Sequence, residues 1–318
     1  MHSAISVISI LFSVLVPQKM WYAPQQAVSV TVASKQDVTL EMTDFSGKLM
    51  KSKSSTDAKA GATVDLLEMF PALEEEGTFV VYALPRGTPL ASGVPKDFLG
   101  VPLVIELRMQ DDRLAVRRVA PLQYAVMRTD AGPMTVVFYY DAAPHTVDSF
   151  LALASEGYYD GLVFHRVVPG FVIQGGDPMG TGMGGPGYHV EAEFNGKPHT
   201  EGVLSMARSG DPNEDPSMGI WPRSQYANSA GSQFFICLDY KQTAALDRHY
   251  TAFAKVVQGM EAVRKIENSP IADPQRGTPK EPTTIQKVEV FGVTAADNPY
   301  QLLSAPAAPA ASSPATRP

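Results

Sequence analysis

Apolar positions from residue 25 to about 112 alternate with polar ones in short runs. Val28, Val30 and Val32 form one run, Val38, Leu40 and Met42 a second, and Phe79, Val80, Val81 and Tyr82 a third. Asp44-Phe45-Ser46-Gly47 and Glu76-Gly77 punctuate them as turns. A period of two with turn signals between runs predicts a small all-β, sandwich-like domain. Leu66 to Leu73 fits either a short helix or a strand crossing. The charged stretch from Asp111 to Arg118 reads as a linker, here bounded at 113–120.

The pattern changes beyond residue 121. Leu122–Met127 and Met134–Tyr140 are strand-like and flank Asp130-Ala131-Gly132-Pro133, which is a hairpin signal. Pro144 suits the first position of a helix, Val147, Phe150, Leu151 and Ala154 share one face at the 3.6-residue period, and Gly157 stops it. A second helix is predicted from Gly259 to Glu267, with Met260, Val263 and Ile266 on one stripe. The remaining apolar runs are Leu162–Val168, Phe171–Ile173, Gly202–Met206, Gln233–Cys237, Thr251–Val257 and Ile285–Val290. Eight strands and two helices predict a mostly β fold, a closed eight-stranded antiparallel barrel capped by two helices, over residues 121–293. Residues 294–318 end in a Pro/Ala/Ser-rich tail from Ser304 that lacks the apolar surface to offset its ordering entropy and is expected to be disordered.

The first 24 residues read as a leader. Ala4 to Val16 is an apolar run that suits the core of a signal peptide and is short for a membrane span, but no Lys or Arg precedes it. Two expectations stay open: an exported or periplasmic protein, with no stable membrane insertion after leader removal, or a cytoplasmic one whose true start is Met20. A net charge of −7 argues against a nucleic-acid partner. The single cysteine, Cys237, permits neither an intramolecular disulfide nor a cysteine zinc site, and the six histidines lack ligand spacing. Asp211, Asn213 and Asp215 open like a calcium loop, but Pro216 stands where glycine is needed. The glycine-rich run Gly175–Gly187 lacks the Gly-Lys-Ser/Thr ending of a phosphate loop.

The densest cluster runs from Phe164-His165-Arg166 through Pro169-Gly170-Phe171-Val172-Ile173-Gln174-Gly175-Gly176-Asp177. With Gly180–Tyr188, Glu191–Phe194, Gly202–Ala207, Gly231–Ile236 and Leu246-Asp247, it closely resembles the cyclophilin-type peptidyl-prolyl cis-trans isomerases, in a bacterial flavour and in the family's order. A weaker resemblance links Glu76–Tyr82 to the closing strands of bacterial immunoglobulin-like domains.

The cyclophilin resemblance implies an isomerase of X-Pro bonds that assists protein folding, acting on proline-containing peptides and unfolded or folding proteins, with neither cofactor nor metal. Arg166 stands at the family's catalytic arginine and Gln174 at the glutamine near the substrate carbonyl. Phe171, Val172, Phe235 and Leu246 match the apolar pocket for the proline ring. Ala207 and Gln233 match the peptide groove, and Tyr250 stands where many members have histidine. A catalytically weak binding or scaffold module on the same fold is the alternative.

Three departures stand out. Ala245 replaces a tryptophan of many eukaryotic members that the resemblance associates with tight cyclosporin binding. Arg208 replaces a small polar residue beside the groove, as either a solvent-facing or a substrate-selective charge. Glu214 to Ala227 looks inserted, and its Trp221 either extends the groove or folds back onto the chain.

Overall fold

The computed structural model describes residues 13–24, 26–53, 55–88, 93–110 and 114–303. The N-terminal part holds nine strands: β1 (Leu15–Pro17), β2 (Trp21–Tyr22), β3 (Ser29–Val32), β4 (Val38–Asp44), β5 (Asp57–Ala58), β6 (Thr63–Asp65), β7 (Gly77–Pro85), β8 (Leu99–Gln110) and β9 (Leu114–Pro121). They form a three-stranded sheet, β1-β3-β6, and a six-stranded sheet, β2-β9-β8-β7-β4-β5. Val28, Val30 and Val32 join Leu40, Met42, Phe79, Val81, Leu103 and Ile105 in one buried core. The segment from Leu66 folds as a helical turn, Leu66–Met69, capped by Asp65, followed by a 3-10 turn, Pro71–Glu74.

The barrel strands are β10 (Gln123–Thr129), β11 (Gly132–Phe138), β12 (Arg166–Val168), β13 (Val172–Gly175), β14 (Val203–Met206), β15 (Phe234–Cys237) and β16 (Ala252–Gln258). After a small hairpin of β17 (Ile271–Asp273) and β18 (Thr278–Pro279) comes β19 (Ile285–Gly292). Eight of these strands make one antiparallel sheet in the order β12-β13-β15-β14-β16-β11-β10-β19. Its ends meet at a bridge between Val163 and Thr284, so the sheet curls into a barrel. Only Arg166–Val168 of the predicted Leu162–Val168 run is strand; at the closure the Leu162 carbonyl accepts from the Ile285 amide and the Phe164 amide donates to the Thr283 carbonyl. The helices Pro144–Ser155 and Met260–Glu267 bury Val147, Phe150, Leu151 and Ala154, and Ala262, Val263 and Ile266. Among the described residues no helix is long and apolar enough to cross a membrane.

Three expectations about boundaries change. The predicted linker is a strand: β9 lies between β8 and β2, and only Leu122 separates it from β10. Its charges misled because both guanidinium groups are buried and held by other elements of the protein. The Arg117 guanidinium donates twice to the Leu73 carbonyl, and that of Arg118 pairs with Glu106 and Asp148. Asp111 to Arg113 lie outside the described residues. The second change concerns the tail, which is ordered as far as Leu303. The Tyr300 hydroxyl donates to the Gln123 carbonyl and accepts from the Phe138 amide, and its ring meets Phe45 edge-on. Ser304 to Pro318 lie outside the described residues. The third change is in the predicted leader, where Leu15–Pro17 pairs with β3 and Trp21–Tyr22 with β9.

The six-stranded sheet is covered on both faces. Along β7, Phe79, Val81 and Ala83 enter the sandwich core, while Val80, Tyr82 and Leu84 pack with Phe98, Val104 and the barrel residues Tyr124, Phe138 and Tyr140. A strand buried on both sides has no polar face, which is why residues 79–84 are apolar without interruption.

Candidate active site

Side chains alternate across each barrel strand. Phe164, Val167, Ile173, Leu204, Phe234 and Ile236 fill the interior. Their neighbours Arg166, Val172, Gln174, Ser205, Phe235 and Cys237 therefore face outwards. Outward residues of a barrel are normally polar, yet Val172, Val203, Phe235, Cys237 and Ala252 form a second buried cluster against Phe171, Ala207, Leu246 and Tyr250. That cluster is roofed by the chain from Ala244 to Tyr250.

The roof is anchored from below. Asp247 Oδ1 accepts from the His199 amide at 2.7 Å and meets its ring Nδ1 at 2.9 Å, while the Tyr240 hydroxyl donates to Oδ2 at 2.9 Å. His199 Nε2 lies 3.0 Å from Ser205 Oγ. Burial holds the His199 imidazole below its ordinary pKa, although Asp247 pulls the other way, so the ring is neutral at pH 7. Arg248 takes a left-handed φ of 65° between Leu246 and Tyr250, the two residues that turn into the site.

Between roof and barrel lies a cavity of about 170 Å³ lined by Arg166, Phe171, Val172, Gln174, Ala207, Arg208, Phe235, Leu246 and Tyr250. Eight of the nine residues singled out from the sequence thus meet around one cavity. The ninth, Gln233, lines an adjoining groove of about 720 Å³ together with the Gly182–His189 loop and Ser209. Gln174, Ala207 and Arg208 border both spaces.

Register places the polar groups. Arg166 is opposite Gln174 in the β12–β13 pair, and Gln174 is opposite Phe235 in β13–β15. A chain of hydrogen bonds fixes them: Arg166 Nη1 to Gln174 Oε1 at 3.4 Å, Gln174 Nε2 to Gln233 Oε1 at 3.0 Å, and Gln233 Nε2 to the Gly184 carbonyl at 2.8 Å. Arg166 has no carboxylate partner among the described residues, so its charge is available to whatever enters the cavity.

The glycine-rich run is the groove's far wall. Its amides are spent on Asp177, whose carboxylate accepts from Met179, Thr181 and Gly182. Burial would raise the pKa of that carboxylate, but the backbone donors together outweigh it and hold it below the usual range. A Cβ on Gly184 would stand 2.0 Å from Asp177 Oδ1, so only glycine fits there. In the calcium-like stretch, Asp211 is engaged by the Arg223 guanidinium at 2.8 and 2.9 Å.

Arg208 is not solvent-facing. Its side chain is 2% exposed and its Nη2 donates to both Glu214 oxygens at 2.6 and 2.7 Å. Trp221 folds back onto the barrel side, stacking on His249 at 4.5 Å and beside Phe194 at 6.1 Å, but its outer face stays exposed, as do Met218 and Ile220. Sequence reasoning named Arg208 without a contact, Glu214 only as the start of the inserted loop and Asp247 only as part of a motif, and gave no part to His199. The one available signal was the pairing of opposite charges at Arg208, just ahead of an unsuccessful calcium motif, and Glu214 within it.

Residues 124–290 match the family described as cyclophilin type peptidyl-prolyl cis-trans isomerase/CLD. A peptidyl-prolyl cis-trans isomerase of Synechococcus elongatus is 40% identical over 146 residues, 45% of this chain and 88% of that protein. Peptidyl-prolyl cis-trans isomerase B of Bacillus subtilis is 42% identical over 144 residues, with the same shares covered. A crystal structure of a cyclophilin type isomerase of Cryptosporidium parvum aligns at 29% identity with a TM-score of 0.47, covering 54% of this chain and 99% of that one. The family match takes in the barrel and every residue of the cavity, and the chain belongs to the cyclophilin-type peptidyl-prolyl cis-trans isomerases.

Proposed function

We propose that the 170 Å³ cavity receives the proline ring of an X-Pro peptide, and that Arg166 stabilises the twisted imide as it rotates. The planar bond is held by resonance, with a barrier of about 18–20 kcal/mol. Rotation removes conjugation and returns a lone pair to the proline nitrogen. A cation directed at that nitrogen binds the twisted state more tightly than either planar state, and only such differential binding speeds the step. Phe171, Val172, Phe235, Leu246 and Tyr250 grip the ring while the acyl side turns. Gln174 contributes an amide that Gln233 holds in place, beside the path of the substrate carbonyl. The residues ahead of the proline lie along the adjoining groove. Proline-limited folding of other proteins is the process served.

The observation that carries this reading is a guanidinium at an apolar cavity with no carboxylate to neutralise it among the described residues. Because no ion pair is broken, Arg166→Ala should stay folded and lose about 10²–10³-fold in kcat/KM. A protease-coupled assay on an Ala-Pro-Phe peptide measures it, and retention of more than a tenth of the activity would contradict the assignment. A binding module would show peptide affinity without turnover in the wild type. Export is part of the same proposal, supported by the apolar run that starts at Ala4, with any cleavage falling ahead of β1, whose Leu15 is buried in the sandwich core. N-terminal sequencing of the mature protein tests it, and a chain starting at Met1 or Met20 would remove the idea.

A further inference from the structure

The inserted loop reaches the cavity through one side chain. Glu214 lies six residues after Arg208 and is itself largely buried, its side chain 10% exposed. Its carboxylate takes both contacts from Arg208 Nη2 and also meets His249 Nδ1 at 2.9 Å. Arg208 in turn donates through Nε and Nη2 to the His249 carbonyl at 3.2 and 3.1 Å. The guanidinium carbon lies 4.3 Å from the centre of the Tyr250 ring, which walls the cavity and meets Phe235 edge-on at 5.7 Å. Trp221 closes the outer side of His249 by stacking on it at 4.5 Å. Removing the carboxylate from a buried guanidinium is penalised, so Glu214 favours this geometry beyond what the His249 carbonyl alone provides.

We propose that Glu214 is a positioning residue for the proline cavity: from the inserted loop it holds Arg208 over Tyr250 and cancels its charge, fixing the cavity wall and keeping the adjoining groove neutral towards residues ahead of the proline. The loop therefore acts on substrate choice from inside the wall, not as an exposed docking arm. This rests on the cavity being the proline site, which Arg166→Ala tests by itself.

Two consequences separate positioning from simple support of the fold. Releasing Tyr250 loosens the grip on the ring in ground and transition states alike, which moves KM and leaves kcat. Uncovering Arg208 places an unneutralised cation where cavity and groove meet, which selects for acidic peptides. The experiment compares wild type, Glu214→Gln, and Glu214→Gln combined with Arg208→Met, on peptides of the form X-Ala-Pro-Phe with X as Glu, Gln or Lys. Trp221 emission in a Trp21→Phe background gives binding independently of turnover.

For Glu214→Gln, KM on the Gln peptide should rise about tenfold with kcat within about twofold, and Glu should be preferred over Lys by about tenfold, against less than twofold in the wild type. The double variant leaves no uncompensated charge at this site and so folds even if the single one does not. It should lose the acid preference and keep the raised KM, because nothing then braces Tyr250. A folded Glu214→Gln enzyme with wild-type KM and no charge preference overturns the proposal, as does a double variant with wild-type KM. Neither result touches the role of Arg166.

Discussion

Removing Arg118 tests whether the β domain and the barrel are one folding unit. Arg118 sits on β9 with 3% of its surface exposed. Its Nη1 meets Glu106 Oε2 at 2.9 Å within the β domain, and its Nη2 meets Asp148 on the Pro144–Ser155 helix of the barrel. Burial alone would lower the guanidinium pKa, but the two carboxylates outweigh it and keep the charge in place. For Asp148 burial dominates and raises the pKa above 3.8 despite the attraction of Arg118. The triad is thus a tolerated charge cluster rather than a strong net gain. Arg118→Met leaves the shape largely filled but takes away the cation facing both acids. The Arg118–Glu106 contact is buried on both sides, and breaking such a pair costs about 3–5 kcal/mol, while the one-third-exposed Asp148 adds little because water screens it. At roughly 2–4 °C per kcal/mol for a large folding unit, Tm should fall by about 6–20 °C.

The pH dependence has a definite sign. Without Arg118 the folded-state pKa of Asp148 rises further above the unfolded value near 3.8. The folded variant then binds more protons than its unfolded chain between those two values, so its stability falls as pH rises through that window. The deficit should be greatest at neutral pH and shrink towards pH 4, as Asp148 protonates. Urea unfolding of both proteins at pH 7.0 and 4.5, followed by circular dichroism, measures it. Combining Arg118→Met with Asp148→Asn should recover part of the loss at pH 7. A deficit below about 1 kcal/mol, or one of equal size at both pH values, would refute the argument, since bond-breaking in a buried charge cluster has to carry both signatures.

Two further outcomes follow from the site. His199 is held below 6.5, so the unfolded chain binds its proton first; the stability this contributes is present above pH 6.5 and is lost as pH falls from there towards the folded value. Wild type should therefore lose more stability between pH 7.5 and 5.5 than His199→Gln, and equal losses in the urea midpoint would contradict the role of burial. Ala245 lies exposed in the cavity roof; if it stands, as the resemblance implies, at the tryptophan associated with tight cyclosporin binding, low-nanomolar cyclosporin should leave most activity intact, and stoichiometric inhibition in the peptide assay would contradict this.

The amino-acid pattern alone determined the strands and the two long helices of the barrel, because period-two and period-3.6 burial is a local property. The cavity residues Arg166, Phe171, Gln174 and Phe235 were legible only through the resemblance of their segments to the cyclophilin-type family, not from periodicity or polarity. What the pattern left undecided depends on partners far along the chain. Arg117 and Arg118 read as a linker because the Leu73 carbonyl, Glu106 and Asp148 that engage them come from other elements. Tyr300 read as tail because its partners, Gln123 and Phe138, lie 177 and 162 residues away. The same holds for Arg208, whose charge looked free until the fold of the inserted loop brought Glu214 against it. Charge and polarity in a sequence show what must be compensated; only tertiary structure decides whether water or a buried partner does it, since desolvation is set by the neighbours that close over the group.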